Sequence, residues 1–182
     1  MNEAFRVLRT NLEFIVNKEQ KSRIIILTSF VQGSGKTFLT INTAISLAVK
    51  GSKVLIIDGD LRRNAISKFI HFHKKGLSDY LAGEFNDIEK LFISKIELDA
   101  DSEYTDENGK RFLSDNLHVL PVGTIPPNPT ELLLNARFGQ LLAEVRTRYD
   151  YIFIDCPPVN IMADSQIIGQ YADYTIFIVR AG

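Results

Sequence analysis

The segment ILTSFVQGSGKTF, residues 26–38, passes from an apolar stretch through a run of small residues to a lysine and a threonine. That succession of residue types builds an anion cradle. Gly33 and Gly35 let backbone amides converge on an anion with no Cβ in the way, Lys36 brings a mobile positive charge for the β and γ phosphates of a nucleotide, and Thr37 brings a hydroxyl for Mg²⁺. The full pattern GxxxxGK(S/T) has glycine where this chain has Phe30, so the match is incomplete at its first position. A turn rich in small residues is the plainer alternative, but strand, loop, helix start and GKT triplet coincide here, which favours phosphate binding. Two acids end apolar runs elsewhere: Asp58 in VLIIDGDLRR and Asp155 in YIFIDCPP. In a parallel sheet the carboxyl ends of the strands open onto one crevice, so both carboxylates can face residues 33–37, and a hard cation bridging phosphates is expected. One such aspartate commonly just caps the next turn. Two beside a phosphate loop point to metal or proton chemistry. Cys156, not glutamate, follows Asp155, so the neighbour that often orients a hydrolytic water is missing, which favours transfer over fast hydrolysis.

The elements that must hold these residues alternate along the chain. Residues 23–29, 53–58, 117–122, 151–155 and 174–179 are short and dense in Ile, Val, Leu and Phe without clean alternation, as in strands buried on both faces. Helices are expected at 37–49, stopped by Lys50 and Gly51, and at 136–149, with Phe138, Leu141, Leu142 and Val145 on the apolar face. Weaker helical stretches lie near 78–81, 85–93 and 163–171. The pattern predicts an α/β domain: one doubly wound, mainly parallel sheet with helices on both faces, spanning 1–182 as a single unit. A first helix over 2–16 places Phe5, Leu8, Leu12 and Ile15 on one stripe, while Glu3, Arg6 and Arg9 recur every three residues as a slowly rotating charged ridge. Its plain reading is a solvated face with an internal ion pair. Residues 94–116 are acidic and contain Asn108-Gly109, the mark of a loop or hairpin insertion. Tyr104 and Lys110 stand where a calcium loop needs glycine and glutamate, so that reading is rejected.

Composition narrows the function classes. The 182 residues are 45% hydrophobic, enough for one sizeable core, and 21 Lys plus Arg against 22 Asp plus Glu leave a net charge of −1, which disfavours nucleic-acid binding. A single cysteine fits a reducing compartment, and no run approaches the roughly 18 apolar residues of a membrane span or the pattern of a signal peptide. A soluble, cytoplasmic segment of a larger protein is expected.

With GSGKT, VLIIDGDLRR and YIFIDCPP, the helix EAFRVLRTN in front and PPNPTELL before the last crossover, the chain resembles the bacterial tyrosine kinases of capsule and exopolysaccharide export over nearly its whole length. The resemblance implies that the three acidic and glycine-rich sites are Walker A, A′ and B motifs and that ATP and Mg²⁺ are the ligands. It implies nucleotide contacts from Gly33, Ser34, Gly35, Lys36, Thr37, Phe38 and Arg62, and metal contacts from Thr37, Asp58 and Asp155. Lys36, Asp58, Asp60 and Asp155 would be the catalytic set, with Asp58 taking the acceptor tyrosine's proton. Glu3, Arg6 and Arg9 match an E-x-x-R-x-x-R motif that joins subunits into a ring. It also implies a tyrosine-rich C-terminal tail as substrate, absent here since the six tyrosines are scattered, and a fused or separate membrane adaptor that holds the kinase at the cytoplasmic face of the inner membrane. Partition or Min-type ATPases have similar motifs but carry a lysine where this chain has Val31. An iron-sulfur carrier of that class would need more than Cys156. A nucleotide-binding regulator without transferase activity is the blander alternative.

Overall fold

The computed structural model describes residues 3–17, 19–66, 70, 75–94, 114–159 and 163–179. Apolar density sets the sheet. Strands β1 (Arg23–Ser29), β2 (Val54–Asp58), β3 (Leu117–Leu120), β4 (Tyr151–Asp155) and β5 (Tyr174–Ile178) pair in parallel in the order β3-β2-β4-β1-β5. Alternate side chains feed two separate cores, as the period of a strand requires. Ile25, Leu27, Ile56 and Phe153 pack on one face beneath α1 (Glu3–Ile15) and α2 (Lys36–Val49). Ile24, Ile26, Leu55, Ile57 and Ile152 pack on the other. That second face is covered by α3 (Leu77–Leu81), α4 (Pro129–Leu134), α5 (Ala136–Val145) and α6 (Asp164–Gly169). Each fully buried Ile, Leu or Phe contributes about 1.5–3 kcal/mol, so the apolar runs stabilise the sheet and both helical layers together.

The expected doubly wound α/β architecture is therefore present, with four differences. First, β5 is not buried on both faces: Thr175 and Phe177 are exposed between half-buried neighbours, because β5 is the sheet edge and no described helix covers its outer side. Second, the buried stripe of α1 runs through Leu12 to Val16, while Ile15 is 70% exposed. A turn of 3.6 residues puts Leu12 and Val16, not Ile15, on the α2 side. Third, only Ile88–Leu91 of the expected 85–93 helix forms, as a single 3₁₀ turn capped by the Asp87 side chain. Fourth, α4 is a helix that the sequence pattern does not announce. Most of the 94–116 insertion lies outside the described residues.

Helix α1 is tied to the body by more than hydrocarbon. Glu13 pairs with Lys50 at 2.7 Å, Phe5 meets Phe38 edge to face, and the amide of Asn17 donates to the Tyr174 hydroxyl at 2.7 Å. On the opposite layer the buried Asp79 carboxylate accepts from the amides of Gly76 at 2.8 Å and Thr124 at 3.1 Å, and from Lys75. It welds α3 to the turn that follows β3.

Candidate nucleotide and metal site

Strand order dictates where the chemistry sits. β4 lies between β2 and β1, so the carboxyl ends of three adjacent strands deliver Asp58, Asp155 and the loop after Ser29 to one crevice. Asp58 and Asp155 are direct neighbours in the β2–β4 register. Gly59 crosses between them with its amide on the Asp155 carbonyl at 3.0 Å, and a Cβ there would stand 2.8 Å from the Ile154 side chain.

The loop at 30–35 adopts the shape its glycines permit. Gly33 (φ 70) and Gly35 (φ 89) occupy the left-handed region, and the space where a Cβ would project is open at both. Helix α2 then begins at Lys36 with Gly35 at its cap and no side chain on its first amides, leaving them for an anion. Lys36 Nζ donates to Ser29 Oγ at 3.1 Å, and Ser29 Oγ donates to the Val31 carbonyl at 2.6 Å, so one hydroxyl parks the lysine and braces the loop. Ser34 Oγ is buried without a hydrogen-bond partner among the described residues.

Thr37 Oγ1 donates to Asp155 Oδ2 at 2.6 Å. The other Asp155 oxygen is buried without a well-formed hydrogen bond among the described residues. Burial pushes the Asp155 carboxyl up to about 6, against the opposing pull of the Thr37 hydroxyl and the Lys36 ammonium. Burial also lowers the Lys36 pKa, with Asp155 and Asp60 pulling the other way, and raises that of Asp60 despite the amides of Arg62 and Arg63. A buried carboxylate oxygen without a well-formed hydrogen bond, beside a threonine hydroxyl, fits a small hard cation of the kind that keeps much of its water. No group of three or more His, Cys, Asp or Glu among the described residues forms a dedicated metal cage, and such a cation needs none.

The remaining expected residues divide. Asp58 is fully buried and its Oδ2 accepts the Ile66 amide at 3.1 Å. Phe38 meets the Phe5 ring of α1 edge to face. Arg62 points to the start of α6, where its Nε meets Asp164 Oδ2 at 3.1 Å and its Nη2 meets Thr130 Oγ1 at 3.0 Å, while Thr130 donates to Asp164 Oδ1 at 2.6 Å. On α1, Glu3 and Arg6 form an exposed pair at 3.5 Å, but Arg9 is turned inward and donates to the Ser46 carbonyl at 3.0 Å, so the three do not form one exposed ridge. Cys156 is buried, with its thiol on the Ile154 carbonyl. Sequence reasoning missed Ser29, and it missed the contact of Arg63 Nη2 with Gln32 Oε1 at 2.6 Å. The doubled arginine of DLRR was the available signal.

A family model described as an AAA domain matches residues 22–181. The tyrosine-protein kinase wzc of Salmonella typhimurium is 34% identical over 179 residues, 98% of this chain but 22% of that protein. The tyrosine-protein kinase CpsD of Streptococcus agalactiae is 33% identical over 182 residues, 99% of this chain and 69% of that protein. Among solved structures, the kinase domain of Escherichia coli tyrosine kinase ETK superposes with a TM-score of 0.83 at 31% identity, covering 99% of this chain and 64% of that one. The septum site-determining protein MinD of Pyrococcus horikoshii, at 24% identity and a TM-score of 0.64, shares the fold alone.

Proposed function

The chain belongs to the bacterial tyrosine-protein kinases, and from that premise we propose that it transfers the γ-phosphoryl group of ATP to tyrosine hydroxyls and so regulates the synthesis and export of capsular or extracellular polysaccharide. The acceptor is a tyrosine-rich C-terminal segment of the longer protein, on the same or a neighbouring subunit. A membrane adaptor or fused span holds it at the cytoplasmic face of the inner membrane. Among the described residues no helix is long and apolar enough to cross a membrane. The observation that supports the reading best is the Thr37–Asp155 bond at 2.6 Å beneath a glycine cradle, with Asp58 the register neighbour of Asp155.

The residues divide the work as follows. Lys36 leaves Ser29 for the β and γ phosphates, and the amides of 33–37 with Ser34 Oγ enclose them. Thr37 and Asp155, with Asp58, would hold Mg²⁺, which would supply positive charge to neutralise the phosphates during transfer. The tyrosine oxygen forms its bond to the γ phosphorus as the bond to the β-phosphate oxygen breaks. ADP departs with that electron pair, and the tyrosine proton passes to Asp58. No carboxylate follows Asp155 to activate a competing water. Glu3 and Arg6, with Arg9 released from Ser46, offer guanidinium and carboxylate forks to a neighbouring subunit in a head-to-tail ring. The assignment of the base is tested by the pH profile of phosphotyrosine formation for the wild type and Asp58→Asn in a tailed version of the protein. Asp58→Asn should lose most of the activity and flatten the acidic limb of the residual rate; an unchanged limb would leave Asp58 as a metal ligand only.

A further inference from the structure

The loop after β2 carries two consecutive arginines with opposite fates. Arg62 is neutralised by Asp164 and braced by Thr130. Arg63 turns the other way, over the phosphate loop, where its Nη2 donates to the neutral carboxamide of Gln32 at 2.6 Å, one residue before Gly33. Among the described residues Arg63 has no carboxylate within ion-pair distance, and its side chain is exposed. A guanidinium that rests on an amide beside an anion cradle, while its neighbour is paired with a buried acid, is a charge placed for an anionic ligand.

The turn that delivers it is over-determined. The Arg63 amide donates to the Asp60 carbonyl at 3.1 Å and to Asp60 Oδ1 at 3.2 Å, and the Asn64 amide donates to the same carbonyl at 3.0 Å. Asn64 then takes φ 46, the only positive φ at a non-glycine among the described residues. Its Oδ1 is buried with no hydrogen bond among the described residues. Asn tolerates this left-handed region better than most side chains, so the chain can turn sharply directly after Arg63. Arg63 and Lys36 also share one electrostatic neighbourhood: after burial, the repulsion of Arg63 is the other effect that lowers the Lys36 pKa.

We propose that Arg63 is a catalytic residue: when a nucleoside triphosphate enters, its guanidinium leaves Gln32 and pairs with the γ-phosphoryl oxygens, stabilising the charge that spreads over them during transfer. The inference rests on the kinase reading for its transfer step and on the loop geometry alone for its phosphate contact. In that step the acceptor oxygen bonds to the γ phosphorus, ADP leaves with the electrons of the broken bond, and the proton goes to Asp58. Arg63 stays protonated throughout, as a guanidinium does at any working pH. Resting on Gln32 rather than on an acid, it gives up a weak partner for a strong one.

The test uses the tailed full-length protein as wild type, Arg63→Met and Arg63→Lys, each checked for an unchanged melting temperature. With Mg²⁺ present, calorimetry measures affinity for ADP and for a non-hydrolysable ATP analogue, and steady-state assays give kcat and KM for phosphotyrosine formation. Arg63→Met should leave ADP affinity unchanged, weaken the triphosphate analogue roughly 3–10-fold, and lower kcat by on the order of 10²–10³. Arg63→Lys should recover analogue affinity but not kcat, because a point charge lacks the planar fork. Equal weakening of both nucleotides, or no preference lost and a kcat within about twofold, overturns the proposal. If the wild type forms no phosphotyrosine at all, the kinase reading falls, and the ADP-against-triphosphate comparison still decides whether Arg63 meets the γ phosphate.

Discussion

Asp155 shows how a single buried residue ties stability to pH. Its carboxyl is pushed up to about 6 by burial, from an ordinary 3.8. Between those values the unfolded chain ionises while the folded chain stays protonated, so this group's contribution to stability falls as pH rises through the window and its full cost is present above about pH 6. A rise of that size corresponds to about 3 kcal/mol at most. Asp155→Asn, whose Oδ1 can still accept from Thr37, should therefore melt higher than the wild type at pH 7.5 without ligand and about level with it at pH 4. It should also lose the stabilisation that Mg²⁺ and ADP confer on the wild type. Melting curves at the two pH values with and without Mg·ADP check this. A variant that melts lower at both pH values, with the ligand response intact, would show that the Asp155 charge is satisfied by the protein and not held for a cation. At this scale the linear motif was legible, because Gly33, Gly35, Lys36 and Thr37 act within five residues of one another. The partners of Arg62, Arg63 and Lys36 were not. Arg62 meets Asp164 across 102 positions and Arg63 meets Gln32 across 31, and no local spacing encodes either contact.

Among the elements, the inner strands were readable because β2 and β4 are wrapped on both faces, which leaves unbroken apolar runs in the sequence. The same run of letters in β5 misled, since edge position is a property of the sheet order and not of the strand. Helix α4, with six residues, is too short for periodicity to declare, and the spacing along α1 suggests Ile15 for the place that Val16 takes. The weld between α3 and the turn after β3 was invisible because the groups that tie Asp79 to that turn are backbone amides, the distant one belonging to Thr124. Burial alone would raise that carboxyl, but the bonds from Lys75, Thr124 and Gly76 outweigh it and hold its pKa below the ordinary value. Its contribution is thus present above about pH 4 and lost as the pH falls through the depressed value. Asp79→Ala should cost about 2–4 kcal/mol at pH 7 by orphaning the amides of Gly76 and Thr124, and the deficit should shrink in acid. Urea unfolding at pH 7 and pH 3.5 measures both. A loss under about 0.5 kcal/mol at pH 7 would mean the turn holds without this carboxylate.

On the scale of the whole molecule, α1 is the surface left over once the two cores are built. Val7, Phe14 and Ile15 are exposed on it, beside the Glu3–Arg6 pair. If this helix joins subunits, Arg6→Ala should lower the assembled mass seen by light scattering with Mg·ATP present, and it should do so without disturbing the fold, since the Arg6 side chain is exposed and its ion pair is with Glu3 of the same helix. Arg9→Ala should act on assembly and also loosen α1 from Ser46, which a lower melting temperature would show. Equal masses for wild type and Arg6→Ala would leave the helix as a solvated face. The central claim, that this crevice moves a phosphoryl group from ATP to tyrosine, is met most directly by incubating the tailed protein with Mg²⁺ and γ-labelled ATP and separating acid-stable phosphoamino acids. Label on tyrosine in the wild type, absent in Lys36→Met and without Mg²⁺, is the expected result. A wild type that binds the nucleotide yet leaves tyrosine unlabelled, or a Lys36→Met variant that labels it equally well, would contradict the account.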